Sequence, residues 1–292
     1  MKYFLITAIV FVVTAGFAHL ISFNSIDVNQ SNLLWQLLLL TFFIQWLAFC
    51  PAFFLKTEKF YDLTGSLTYC SVFSYVLFVT SSVQGVQAGN LIVATAVMAW
   101  AARLGIFLFT RILKDGQDSR FELIKVSFPQ FLMTWTLQGM WVFICSSAAL
   151  VAISSPTGVV VNSMFIFGLA MYVFGLITEI IADHQKSSFR SSKKNKDMFI
   201  NQGLWARSRH PNYFGEITLW SGIAIMSMPS LSGLNYMALF SPVFTYLLLN
   251  YVSGIRLLEA RGLKKWGHLQ SYHQYCQNTP KLIPRVFSVK ND

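Results

Sequence analysis

From Gly203 to Glu216 the chain reads GLWARSRHPNYFGE, gathering two arginines, a histidine, an asparagine, a tyrosine and a carboxylate around one proline. Proline suits the first position of a helix, where its missing N–H would be unpaired anyway and its φ is preset. Pro211 therefore predicts a helix start with His210 as the cap residue. The unpaired N–H groups and the positive end of the helix dipole would sit beside Arg207, Arg209, Asn212 and Tyr213, an arrangement suited to an anion. Gly215 permits close approach of another backbone or a ligand. Glu216 lies one turn deeper, where a carboxylate at the edge of an apolar segment needs a partner or a role. The same pattern equally suits a basic turn that leads a capped helix into a membrane.

Other segments carry further candidates. Glu179 and Asp183 are four apart and share a helix face, with Lys186 and Arg190 about one and two turns beyond. They can meet an anionic ligand or pair among themselves. Arg256 and Glu259 are three apart, as are Tyr272 and Tyr275, in a stretch whose apolar positions predict an amphipathic helix along a membrane surface. Arg103 falls inside an apolar run, where arginine is costly unless it snorkels or finds a carboxylate or phosphate. Tyr61 and Asp62 open another run that contains Tyr69, with Asp62 as the expected helix cap. Neither the histidines nor the four cysteines have metal-ligand spacing, so no metal site is expected.

The elements that must hold these residues are set by composition. Only 12% of residues are charged and 54% are hydrophobic, against the roughly 25% charged of a soluble domain. Apolar runs with few or no charges near 3–21, 33–55, 67–83, 91–112, 131–153, 159–181, 215–228 and 236–255 read as membrane spans. The expectation is an all-α polytopic helix bundle of about eight spans, with 215–228 the short one and seven the alternative. None of the 22 Lys and Arg falls in the connections 22–32, 84–90, 154–158 or 229–235 that alternating spans place outside. The positive-inside rule then puts both termini in the cytoplasm. The formal charge of +10 is accordingly topological, directed at lipid headgroups, and no nucleic-acid partner is expected. No cleavable signal segment is expected either, because the first apolar run reads as a span.

In order and spacing, YDLTGSLTY, RLGIFLFTR followed by DSRF, ADHQKSSF, GLWARSRHPNYFGE, SGIRLLE and a final Y-x-x-Y with TPKLIP resemble the membrane-bound steroid 5-alpha-reductase-like family, especially its bacterial members. The likeness covers roughly 55–285, which suggests N-terminal spans over 1–55 and a reductase-like membrane domain over 56–292. It implies NADPH held on the cytoplasmic side, in a bacterial inner membrane, and reduction of a conjugated carbon–carbon bond in a lipophilic substrate that enters from lipid. The nicotinamide would supply hydride, which no side chain can. Cofactor contacts carry over onto Asp183, Arg190, Asn212 and Glu216, and further onto Arg103, Arg207, Arg209, His210, Tyr213, Arg256, Glu259 and Tyr272. Where steroid reductases place a Glu and a Tyr against the substrate carbonyl, this chain has Trp46 and Trp100, neither of which is an acid. The proton donor expected in their stead lies among Tyr61, Asp62 and Tyr69. RHPNYFGE with a later Glu259 also resembles the cofactor motif of isoprenylcysteine and phospholipid methyltransferases, which makes S-adenosylmethionine the rival cofactor. A lipid-binding protein without catalysis is the other alternative.

Overall fold

A computed structural model describes residues 1–285; residues 286–292, which include Lys290 at the end of the basic C-terminal segment, lie outside the described residues. The protein is all-α, 76% helical, with one two-stranded hairpin among the described residues. In chain order come α1 (Lys2–Ile21), β1 (Asp27–Val28), β2 (Ser31–Asn32), α2 (Leu33–Phe54), α3 (Tyr61–Gln84), α4 (Ala88–Asp115) and α5 (Phe128–Ile153). They are followed by α6 (Ser163–Ser191), α7 (Pro211–Ser227), α8 (Ser241–Leu247), α9 (Ile255–Trp266) and α10 (Gln270–Asn278).

Seven segments among the described residues are long and apolar enough to cross a membrane: α1 to α6 and the composite stretch Gly233–Trp266. The eighth expected span is α7, which at 17 residues is shorter than the roughly 20 that a bilayer core requires. A 3-10 turn over Met228–Ser230 prolongs it directly. The composite stretch is not one regular helix. It passes from a 3-10 segment at Gly233–Phe240 through α8 and a π turn at Leu248–Val252 into α9.

The chain forms two compact units. The first comprises Met1–Ile166 and Ala224–Ser241. Its centre is α5, which packs on α1, α2, α3 and α4 and is buried along nearly all of its second half. It ends CSSAALVAI, and the small side chains of its CSSAA portion let helices approach closely where no water competes. The apolar outer faces of α1 and α2, with Leu5, Val12, Leu39 and Phe43 exposed, suit lipid contact. Between α1 and α2 the hairpin turns on Asn29 and Gln30, both with positive φ, the pairing that a two-residue turn needs. Asn32 then caps α2 by accepting from the Leu34 N–H.

The third helix begins six residues earlier than its apolar run suggests, at Tyr61. Asp62 is therefore not its cap: Phe60 occupies that position, and Asp62 stands within the first turn, favourably placed for the helix dipole. Polar residues ending a span are helical here because their backbone bonds continue even where their side chains leave the lipid.

An ion pair joins the α2–α3 turn to the α4–α5 connection. Glu58, 4% exposed, accepts from Lys125 Nζ at 2.8 Å and from the Asp118 N–H at 2.9 Å. Burial alone would raise its pKa, but the Lys125 and Asp118 contacts prevail and hold it below the ordinary carboxylate value. Because the folded pKa is the lower one, the contribution to stability is present above about pH 4.5 and lost as pH falls through the folded value. Glu58→Gln should cost about 2 kcal/mol by leaving Lys125 without its counter-charge. Thermal unfolding in detergent should show a lower midpoint at pH 7 and a weaker acid dependence than the parent protein.

Candidate functional site

The second unit comprises Phe167–Ile223 and Pro242–Asp292. Within it α6 and α7 meet backbone to backbone. A Cβ on Gly215 would lie 2.7 Å from both the Glu179 nitrogen and the Gly175 oxygen, and one on Gly222 only 2.5 Å from the Tyr172 nitrogen. Gly168 and Gly175 on α6 face Gly222 and Gly215 on α7, each pair seven residues apart, or about two helical turns. The close approach anticipated at Gly215 is thus made by a helix backbone. Glu179, Asp183 and Glu216 are all buried along these helices.

Before α7 the chain is pinned at several points. Gly203 takes φ +61 against the Gln185 amide, and Leu204 N–H donates to Gln185 Oε1. Trp205 Nε1 donates to the Ala182 carbonyl, Lys186 Nζ stands 4.5 Å from the indole centroid, and the Tyr275 hydroxyl donates to the Trp205 carbonyl. The segment TPKLIP serves as a clamp. Arg209 N–H donates to the Pro280 carbonyl, the Ser208 hydroxyl to that of Leu282, and Arg285 N–H to that of Arg207. Pro211 opens α7 as expected, and the His210 carbonyl accepts the first helical bond, from Phe214.

These restraints bring four predicted residues together. Arg209 Nη1 pairs with Glu259 Oε1 at 2.9 Å, His210 Nε2 lies 3.5 Å from the same oxygen, and the His210 and Tyr213 rings stack at 5.8 Å. Burial pushes the His210 pKa below its ordinary value, and the neighbouring Glu259 only partly opposes this. Asn212 Oδ1, Arg209 Nε and His210 Nδ1 are buried without a hydrogen-bond partner. Such atoms are rare in native proteins and fit a ligand that carries both donors and acceptors, such as a phosphate beside a ribose or an amide.

Not every expected residue joins this cluster. Arg190, Arg207 and Arg256 are exposed on the second unit. Tyr272, on α10 rather than on the single amphipathic helix expected for this stretch, packs on Phe199 and Trp266, and burial, followed by Cys276, pushes its pKa up to about 12. Arg103 belongs to the first unit, on α4. So do Tyr61, Asp62 and Tyr69. Tyr61 donates to the Thr134 carbonyl, whereas Tyr69 meets Trp100 edge to face at 5.4 Å. Eight residues separate the two tyrosines, about 12 Å along α3, so they serve different depths. The sequence reading did not single out Gln185, Trp205 or Phe199 as site supports. The repeated seven-residue glycine spacing of α6 and α7 was a readable sign of the helix contact.

Residues 48–279 match the family model described as protein of unknown function, DUF1295. Among curated proteins, 3-oxo-5-alpha-steroid 4-dehydrogenase 1 of Mus musculus is 28% identical over 127 residues, covering 43% of this chain and 44% of that protein. The enzyme of the same name from Rattus norvegicus is also 28% identical, covering 44% of each. The probable O-methyltransferase ustE of Ustilaginoidea virens is 27% identical over 94 residues, covering 32% of this chain and 33% of that protein. The chain thus spans a third to less than half the length of these relatives. No solved structure matches it.

His210 offers a check on the burial of this cluster. Its folded pKa lies below the unfolded value near 6.5, so the unfolded chain takes up the proton first. Stability should be flat above about pH 6.5 and fall with pH below it. Thermal unfolding in micelles from neutral to mildly acidic pH should show this slope in the parent protein and a shallower one in His210→Gln.

Proposed function

This chain belongs to the DUF1295 family, which is the steroid 5-alpha-reductase-like family, and from that membership we propose an integral membrane reductase that uses NADPH to saturate a conjugated carbon–carbon bond in a lipophilic substrate. The observation that carries the reading is the set of buried, unpartnered atoms of Arg209, His210 and Asn212 at the start of α7, beside a basic rim. When bound, NADPH supplies the hydride.

The chain's own residues do the holding. Arg209, with Lys186 and the exposed Arg190 and Arg207 in the same unit, provides positive charge for phosphates. Glu259 fixes Arg209 by its ion pair, so the guanidinium keeps one orientation and its Nε remains for a ligand. Asn212 Oδ1 accepts from a hydroxyl or an amide N–H. His210, neutral at pH 7, presents a ring nitrogen without adding charge. The buried carboxylates Asp183 and Glu216 are acceptors suited to ribose hydroxyls. In the first unit, Tyr61, Asp62 and Tyr69 remain our candidates for delivering the proton, and the substrate enters from lipid. Retention of full activity after all three are changed would end that assignment.

The similarity to a probable O-methyltransferase supports a second reading, methyl transfer from S-adenosylmethionine at the same cluster. Equilibrium binding to the purified protein separates the two. Reduction requires saturable binding of NADPH and none of S-adenosylmethionine, and the reverse result favours methyl transfer. Loss of one hydrogen bond to a charged group corresponds to about 10- to 100-fold in affinity. Arg209→Ala should weaken NADPH by that factor and lower the melting temperature through loss of the Glu259 ion pair, whereas Asn212→Ala should weaken NADPH by about 10-fold with an unchanged melting temperature.

A further inference from the structure

The composite stretch Gly233–Trp266 changes character at its π turn. From Gly233 to Val252 it holds twenty residues without a charge, a length that suffices for a bilayer core. Gly254 then breaks the helix with φ −110 and ψ −105, and a Cβ there would lie 2.2 Å from the Leu249 oxygen. Beyond it α9 reads IRLLEARGLKKW, with four cations and one carboxylate in twelve residues. That is too much charge for the hydrocarbon, so α9 belongs at the level of the headgroups.

At about 100° per residue, α9 has two faces. One turns into the second unit: Ile255 and Gly262 are buried, Glu259 holds Arg209 Nη1 at 2.9 Å, and Trp266 Nε1 donates to the Asp197 carbonyl at 2.7 Å. The other face carries Leu257, Ala260, Arg261 and Lys264, all exposed. Arg261 and Lys264 stand about 160° and about 140° around the helix from Glu259, turned away from any ligand on Arg209. Arg256, Arg261 and Lys264 have no ion-pair partner among the described residues. Lys265 Nζ donates to the Lys196 carbonyl at 2.9 Å, which brings the loop of Lys193, Lys194 and Lys196 against the same helix. The exposed carboxylate of Asp197 lies 3.7 Å from Lys265 Nζ and offsets that cation alone.

Unpaired cations interleaved with the exposed Leu257 and Leu263, just past the end of a span, match a leaflet of anionic phospholipid. Its phosphates take the charges, and the apolar side chains settle beneath them. A soluble acidic partner would meet the cations and leave the leucines in water. We propose that the outward face of α9 docks on anionic phospholipid headgroups and that this docking holds Arg209 in its orientation, because Glu259 projects from the inward face of the same helix. Negative charge in the bilayer thereby regulates the cluster at the start of α7. The effect on cofactor binding rests on the reading of that cluster given above, whereas the docking and its transmission to Arg209 do not.

The full chain is placed in nanodiscs of phosphatidylcholine, alone or mixed with phosphatidylglycerol, and amide hydrogen exchange is followed. No nucleotide is present, so failure here is separate from failure of the NADPH titration. Each basic side chain near an anionic surface strengthens attachment about five-fold. Segments 255–266 and 203–214 should both exchange about ten-fold or more slowly in the anionic discs. Arg261→Gln with Lys264→Gln removes about 25-fold of attachment and should abolish the slowing in both segments. Lys56→Gln with Lys59→Gln, exposed in the first unit, should leave it intact. Glu259→Ala should keep the slowing at 255–266 and lose it at 203–214. Equal exchange in both discs, slowing confined to 255–266 in the parent protein, or any departure from this pattern among the variants overturns the proposal. So does slowing by soluble polyglutamate but not by phosphatidylglycerol, which would mark a surface for an acidic protein.

Discussion

Where α6 crosses α7, the peptide of Glu179 lies against Gly215 so closely that no side chain fits between them. In lipid, helices gain little from burying apolar surface on one another, and association relies on close van der Waals contact of this kind. The two glycine pairs set the depth of α7 against α6, and the positions of Asp183, Asn212 and Glu216 follow from it. A methyl group at Gly215 or Gly222 would force the helices apart and move every polar residue that they carry.

Around that contact the C-terminal segment acts as part of the site. The carbonyls of Pro280 and Leu282 hold Arg209 and Ser208, and the Tyr275 hydroxyl holds the Trp205 carbonyl, so the loop before α7 is bonded on several sides. A loop tied in this way loses little further entropy when a ligand arrives. Glu259 plays a comparable part for charge, keeping Arg209 in one orientation at the expense of one of its donors.

The first unit answers the same physical demand differently. Its hydroxyls return mostly to their own helices, as Thr14, Thr41, Thr64 and Ser146 do. Against that background of local satisfaction, the bare oxygens of Gln45 and Gln138 stand out. Trp46 spends its N–H on Thr136 and so adds no donor for a carbonyl.

The helices and the helix start at Pro211 were legible in the sequence, because each follows from local rules: hydrophobic length, and the preset φ of proline. The start of α3 was misplaced, since hydropathy reports lipid contact and the helix runs on through Tyr61 and Asp62 beyond it. Which charged residues converge was not legible. Arg209 and Glu259 are fifty positions apart and meet only because α9 folds back to the start of α7, whereas Arg256, one turn from Glu259, stays exposed. Nor could the pattern reveal that Gln45 gives one end of its amide to Thr68 and leaves the other bare. By itself the sequence determined a membrane helix bundle, because solvent preference is a property of each residue. Tertiary structure alone decided which polar atoms are satisfied, because a hydrogen bond is a property of two.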